Sequence, residues 1–89
     1  MNQTERLDAA RNEFRLALLK YITLLEPGDE MRSAVTSGLK HRNITKRWIA
    51  KEAGCTATFI DSVLTQPING PSFKKVRELA IKYATFGAN

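Results

Sequence analysis

Cysteine and histidine are scarce in this 89-residue chain, which has one of each, Cys55 and His41. A single cysteine cannot form an internal disulfide, so a reducing compartment is expected. No second His or Cys is spaced for a metal ion, and Cys55 suits a core position better. No apolar run approaches the ~20 residues that span a bilayer. We therefore expect a cytoplasmic protein with no metal and no membrane contact.

Motifs that carry enzymatic chemistry are also missing. The five glycines are scattered and form neither a phosphate-cradling loop nor a dinucleotide fingerprint. His41 has no carboxylate at metalloprotease spacing and no nearby Ser or Cys that indicates a catalytic triad. We expect no enzymatic activity, no cofactor and no small-molecule ligand. The opening MNQTERLDAARNEF contains acids and no apolar core, unlike a secretory signal.

Charge is distributed unevenly along a chain of ordinary globular composition, 43% hydrophobic and 26% charged. Residues 1–30 hold four basic and six acidic side chains, net −2, and residues 31–89 hold ten basic and three acidic, net +7. The length predicts a single domain over residues 1–89 with a small core. The basic part is typical of a phosphate-binding surface, although a solvated basic face without a partner has the same composition.

Strong helix formers without an intervening Gly or Pro predict a long helix over residues 4–26. Thr4 is expected to cap it and Pro27-Gly28 to end it. From Leu16 onward its other faces are apolar too, so its second half is expected to be buried on more than one side. One face carries a heptad of apolar residues: Leu7, Ala10, Phe14, Ala17, Tyr21 and Leu24.

The rest of the chain predicts further helices and no strand, so the fold class is all-α with about five helices. Asp29 is expected to cap a helix over residues 30–41, and Ser72 one from residue 73 to about residue 84, beyond which the chain should fray. Residues 30–84 would form the core that follows the N-terminal helix. The exposed part of the last helix is predicted to be basic, from Lys74, Lys75, Arg77 and Lys82.

The stretch KRWIAKEAGCTATFIDSVLT, residues 46–65, predicts two short helices joined by a tight turn. Thr45 and Thr56 are suited to cap them, and Gly54 allows the positive φ of a sharp turn. Ile60 and Val63, three apart, give the second helix its apolar face. These features are typical of a helix-turn-helix.

This stretch resembles the helix-turn-helix of DNA-binding domains of the lambda-repressor/Cro type, and also the headpiece of the lactose-repressor class. The resemblance rests on the spacing of a few residues: Lys46, Ala50, Gly54, Cys55, Ile60 and Val63. It covers about twenty residues closely and residues 30–83 more loosely. It implies a core in which residues 56–65 form the recognition helix.

The resemblance implies particular contacts with double-stranded DNA. The residues expected to face the base edges are Ala57, Thr58, Asp61 and Ser62. The residues expected near phosphates, some by the resemblance and some by their charge and nearness in sequence, are Arg42, Lys46, Arg47, Lys51, Thr56 and Thr65. Trp48 is expected to pack against the N-terminal helix rather than to stack on a base.

Two functions are compatible with these features. The first is a sequence-specific DNA-binding transcriptional regulator, expected to be a dimeric repressor on a near-palindromic site and to be associated with the nucleoid when bound. The alternative is a helix-turn-helix used as a protein-interaction module, because the predicted recognition helix has no Arg, Lys, Asn or Gln, the usual base readers.

The N-terminal helix also has two interpretations. It caps its own core, or its heptad additionally pairs with a second copy. It lies in the acidic third of the chain and is longer than a small core needs, which favours a homodimer held through residues 4–26.

Overall fold

The computed structural model describes residues 2–88, which contain five helices and no strand. The predicted all-α class with about five helices is confirmed. α5 packs against α1, α2 and α4, and α3 packs against α4. The helix bounds are α1 Gln3–Leu24, α2 Asp29–His41, α3 Lys46–Ala53, α4 Ala57–Thr65 and α5 Pro71–Phe86.

The N-terminal cap of α1 is Asn2, so the prediction of Thr4 is wrong. The Asn2 Oδ1 accepts a hydrogen bond from the Glu5 backbone N–H at 2.8 Å, and the Glu5 carboxylate accepts one from the Asn2 N–H at 3.3 Å. This reciprocal pair is a capping box, which satisfies two backbone donors at once. Thr4 lies inside the first turn.

The starts of α2 and α5 also differ from the prediction. Gly28 precedes α2 without any side-chain cap, and Asp29 is its first residue, where a negative charge favours the helix dipole. α5 starts at Pro71, the position at which a helix tolerates proline, so Ser72 is not its cap. α5 also continues to Phe86, and Thr85 is fully buried, so the prediction of fraying is wrong for these two residues; its last residue, Asn89, lies outside the described residues.

The core lies where the helices meet α5. α1 contributes one fully buried side chain, Ile22, while Leu18, Leu19 and Leu25 are half-buried against the cluster. The buried apolar cluster consists of Ile22, Met31, Val35, Leu39, Ile49, Ala50, Ile60, Val63, Leu64, Val76, Ala80, Ile81 and Ala84.

Two aromatic contacts attach the α3–α4 unit to α5. The Trp48 ring meets Tyr83 edge to face, with the ring centroids 5.2 Å apart, and Phe59 meets Phe73 in the same way at 5.0 Å. The expectation that Trp48 packs against the N-terminal helix is therefore wrong. Its partner is on the last helix.

α2 and α5 cross closely because residue 38 is glycine. A Cβ atom built on Gly38 would lie 2.6 Å from the Ala84 carbonyl oxygen and 3.1 Å from the Ala84 Cβ. Both neighbours are fixed parts of α5, and side-chain rotation cannot relieve the first contact. The glycine thus sets the distance between the two helices that share most of the core.

Arg77 is buried, whereas the sequence predicts it on the basic exposed face of α5. Its side chain donates to the carbonyl oxygens of Val63 (2.7 Å), Gln66 (3.0 Å) and Ile68 (2.8 Å). It also donates to the Asn69 side-chain oxygen at 3.3 Å. Within residues 2–88 no carboxylate pairs with it. The guanidinium therefore holds the loop after α4 by backbone carbonyls, at the negative end of the α4 dipole.

We expect Gly38→Ala to lower the free energy of unfolding by about 1–3 kcal/mol, because overpacking forces α2 away from α5. Helix propensity alone would favour alanine by about 1 kcal/mol, so a decrease isolates the steric effect. Ser33→Ala is the matched control, since Ser33 is an exposed residue inside the same helix and alanine there changes helix propensity without overpacking. Urea unfolding measures both, and equal stability of the two variants would contradict the crossing.

Arg77→Met should lower the free energy of unfolding by about 3 kcal/mol, because it leaves several carbonyl acceptors without a donor. Arg77→Lys should recover only part of this stability, since a lysine cannot reproduce the planar fork of donors. Lys82→Met on the exposed side of the same helix is the control and should change stability by less than about 0.5 kcal/mol. Similar decreases for both methionine variants would refute the anchoring role.

Candidate nucleic-acid interface

α3 and α4 are joined by a three-residue turn whose local bonds match the sequence prediction. The Thr45 Oγ1 accepts from the Trp48 N–H at 3.0 Å, and the Thr56 Oγ1 accepts from the Phe59 N–H at 3.1 Å. Gly54 ends α3 at φ +71°, in the left-handed region. The predicted caps and the positive φ are confirmed.

The position of α4 in the core determines which of its side chains face solvent. Ile60, Val63 and Leu64 are fully buried. Thr58 on the opposite side of the helix is exposed, as is Ala57 in the first turn, while Asp61, Ser62 and Thr65 are half-buried. All four side chains predicted to face bases are thus at least partly accessible along one side of α4.

Two hydroxyls on α4 are bonded within the helix. The Ser62 hydroxyl donates to the Thr58 carbonyl at 3.1 Å, and the Thr65 hydroxyl donates to the Asp61 carbonyl at 2.8 Å. Each oxygen keeps lone pairs that can accept from an outside donor. The Ser62 oxygen is therefore better suited to accept from a base amine than to donate to a base oxygen.

Lys46 and Asp61, predicted for phosphate and base contacts respectively, form an ion pair with each other. The Lys46 Nζ lies 2.6 Å from the Asp61 Oδ1, with the side chains 23% and 47% exposed. The pair links the first residue of α3 to the middle of α4. A ligand that uses either group has to share it with the other or replace it.

A polar cleft of about 520 Å³ lies between α2 and this ion pair. Arg32, Thr36 and Lys40 project into it from α2, four residues apart. The cations Arg32 and Lys40 were not among the predicted phosphate contacts. Their i, i+4, i+8 spacing, which places all three on one helix face, was the available sequence signal.

The remaining predicted phosphate residues have different surroundings. Arg47 and Lys51 are exposed on α3, and Thr56 is exposed at the start of α4. Arg42 is instead engaged with the end of α5, where its Nε donates to the Ala84 carbonyl at 3.1 Å and its Nη2 to the Thr85 carbonyl at 2.5 Å. A cation that bonds the last carbonyls of a helix stabilises that helix end.

The predicted dimer residues form an exposed stripe along α1. Leu7, Phe14, Tyr21 and Leu24 are 47%, 67%, 47% and 75% exposed, and Ala10 and Ala17 are exposed too. Leu16 on another face is 50% exposed, so the second half of α1 is not buried on several sides within this chain.

One side-chain hydrogen bond joins the C-terminal part of α1 to the start of α2. The Tyr21 hydroxyl donates to the Glu30 carboxylate at 2.9 Å, and this bond to Glu30 raises the pKa of Tyr21. Toward its N-terminus α1 borders a groove of about 830 Å³, lined by Leu7, Ala10, Arg11, Phe14, Arg15, Leu18, Ala34, Ser37, Gly38, His41, Arg42 and Ala84. None of these residues is acidic.

Among residues 2–88, no three His, Cys, Asp or Glu side chains are grouped so that they could hold a metal ion. No helix in the same range is both long enough and apolar enough to cross a bilayer. Burial raises the pKa of the half-buried Cys55 thiol. Comparison with protein-family models, curated proteins and solved structures finds no match to this chain.

Proposed function

We propose that this protein is a sequence-specific DNA-binding regulator of transcription that uses α3 and α4 as a helix-turn-helix. In this proposal α4 enters the major groove, which is wide enough for an α-helix. The protein acts as a homodimer on a near-palindromic site, as a repressor.

The observation that carries the proposal is the combination of α4's two sides. One side is held in the core by three fully buried apolar residues, Ile60, Val63 and Leu64. The other side is polar and accessible, and it carries the ion pair of Asp61 with Lys46. Lys46 with its cleft neighbours Arg32 and Lys40 lies on the α2 side, and exposed Arg47 and Lys51 lie on α3.

The accessible side of α4 offers a small set of base contacts. The Ala57 and Thr58 methyl groups can touch thymine methyls, and the Ser62 oxygen can accept from an adenine or cytosine amine. Asp61 can accept from a cytosine amine while Lys46 remains beside it. The ion pair of 2.6 Å would then tie a base contact to a nearby phosphate contact.

The phosphate contacts assigned in this proposal are those of accessible cations. Arg47, Lys51 and Lys46 are joined by Lys40 and by Arg32, whose exposed guanidinium also lies 3.4 Å from the Asp29 carboxylate. The N-terminus of α4 at Thr56 presents backbone N–H groups and a positive dipole end. Arg42 is removed from the set because its guanidinium bonds the end of α5.

The alternative, a protein-interaction module, is favoured by one observation. α4 has no Arg, Lys, Asn or Gln, and Asp61, its single charged residue, is already paired with Lys46. Selection of bound sites from a random DNA library separates the two functions. Enrichment of one two-fold-related sequence supports the DNA-binding proposal, and no enrichment supports the alternative.

Arg47→Ala and Lys51→Ala should each weaken binding to all DNA sequences alike and reduce the salt dependence by about one unit of slope for each phosphate that the cation neutralises. Arg6→Ala removes the same charge from the exposed first half of α1 and is the control. Fluorescence anisotropy across a salt series gives the slopes. If the α3 variants and the control behave identically, α3 does not contact the backbone.

Asp61→Asn should change base preference at one position, by about 1–3 kcal/mol, and should strengthen binding to unrelated DNA, because Lys46 is released toward phosphate. Thr58→Ala should change preference at one position without the second effect. Both side chains are accessible, so unfolding in urea should change little. Competition binding with single-base variants of the selected site measures both. An unaltered preference in both variants would show that α4 does not read bases.

A further inference from the structure

From Leu7 to Tyr21, the stripe on α1 alternates between large and small side chains, and it ends with a second large residue, Leu24. Its residues spaced by seven from Leu7 are large, Leu7, Phe14 and Tyr21, whereas Ala10 and Ala17 between them are small. All five are exposed in the chain. Leu and Phe side chains that face water on a regular heptad can be buried only by a partner of matching shape.

The alternation distinguishes between two ways of pairing this helix with a copy of itself. In a parallel pair, equivalent residues face each other, so Phe14 would meet Phe14 and Ala10 would meet Ala10. Crowded layers would alternate with empty ones, which disfavours close packing. In an antiparallel pair the two heptad rows face each other, so Phe14 and Tyr21 can each meet an alanine and these layers interdigitate.

Charge and the ends of the stripe select one antiparallel register. With Phe14 opposite the partner's Ala17, Tyr21 lies opposite the partner's Ala10, and Leu7 meets the partner's Leu24. Leu24, 75% exposed, is thereby covered. The same register brings the exposed Glu13 beside the partner's Lys20, twice by symmetry.

We propose that two copies of this chain pair through antiparallel α1 helices, with the Phe14 ring of each seated on the partner's Ala17 and Glu13 paired with the partner's Lys20. This pairing deepens the proposed function, on which it rests for the expectation of a dimer. The two-fold axis crosses between Arg15 and Leu16. The α3–α4 units lie toward opposite ends of the paired helices.

Cysteine crosslinking tests the direction and the register, in a Cys55→Ser background. Leu7→Cys and Leu24→Cys chains are mixed, allowed to exchange, and oxidised. A disulfide needs Cα atoms within about 7 Å. In the proposed register residue 7 of one copy lies opposite residue 24 of the other, so a mixed pair should form a disulfide. Each variant alone should stay uncrosslinked, since two copies of residue 24 lie roughly 25 Å apart at ~1.5 Å per residue.

Charge reversal tests the register independently. Glu13→Lys and Lys20→Glu should each raise the dimer dissociation constant about two- to fivefold, as expected for exposed ion pairs. The double variant should restore the original value, because its charges face each other in swapped positions. Within one chain these residues are two helical turns apart, so the rescue reports on contact between copies.

Phe14→Glu should raise the dimer dissociation constant by roughly tenfold or more, because it buries an unpaired charge. Leu16→Glu is the matched control on the same helix, 50% exposed and off the stripe, and should leave the dimer intact. Sedimentation or light scattering measures both, and circular dichroism verifies that the helices persist.

A wild-type monomer, or efficient crosslinking of Leu24→Cys alone, overturns the antiparallel pairing. Its failure is distinguishable from failure of the proposed function. A crosslinked antiparallel dimer that enriches no DNA sequence supports the pairing and refutes DNA binding. A monomer that enriches one sequence refutes the pairing and leaves DNA binding in place.

Discussion

The hydrogen bonds of Arg77 fix how α4 sits on α5. The buried guanidinium takes the carbonyl oxygens of Val63, Gln66 and Ile68, and so ties the last turn of α4 and the following loop to the middle of α5. Removing a charge from water is unfavourable unless its donors are satisfied, and here backbone acceptors satisfy them. Because the buried side of α4 is fixed in this way, its accessible side is fixed as well. The orientation of the proposed interface therefore depends on the Arg77 hydrogen bonds on the buried side of α4.

Features set by neighbours in sequence could be predicted, and features set by distant neighbours could not. The caps at Thr45 and Thr56, the left-handed Gly54 and the buried face of Ile60 and Val63 each follow from residues within a turn or two. The first cap of the chain was also local, since Asn2 and Glu5 have capping-box spacing. The prediction of Thr4 is wrong because it uses only the simpler rule that a threonine can cap a helix. The reciprocal hydrogen bonds between Asn2 and Glu5 favour Asn2 instead.

The failures share a physical cause, which is that a side chain's partner is chosen by tertiary contact. Gly38 looks like an ordinary helical glycine in the sequence, and only the close approach of Ala84 in the fold explains it. Trp48 contacts Tyr83, 35 positions further along the chain. Arginine is the most deceptive residue type here. Its five donors serve a phosphate or a row of carbonyls equally well, and Arg77 uses them for the latter. Charge counted along the sequence therefore overstates the charge available to a ligand.

Under the proposed function, one copy of the chain would have fewer cations to offer DNA than its net charge suggests. Of the ten basic residues in 31–89, Arg42 and Arg77 bond backbone carbonyls, and Lys46 and Arg32 are paired with Asp61 and Asp29, which leaves six. Those six are spread over three helices, α2, α3 and α5. Since affinity rises with each phosphate contacted, and α4 adds only small or paired side chains, one copy has modest means of holding a site. In the proposed function a dimer paired through the α1 stripe would double these contacts, and so would compensate for the few base-reading side chains on α4.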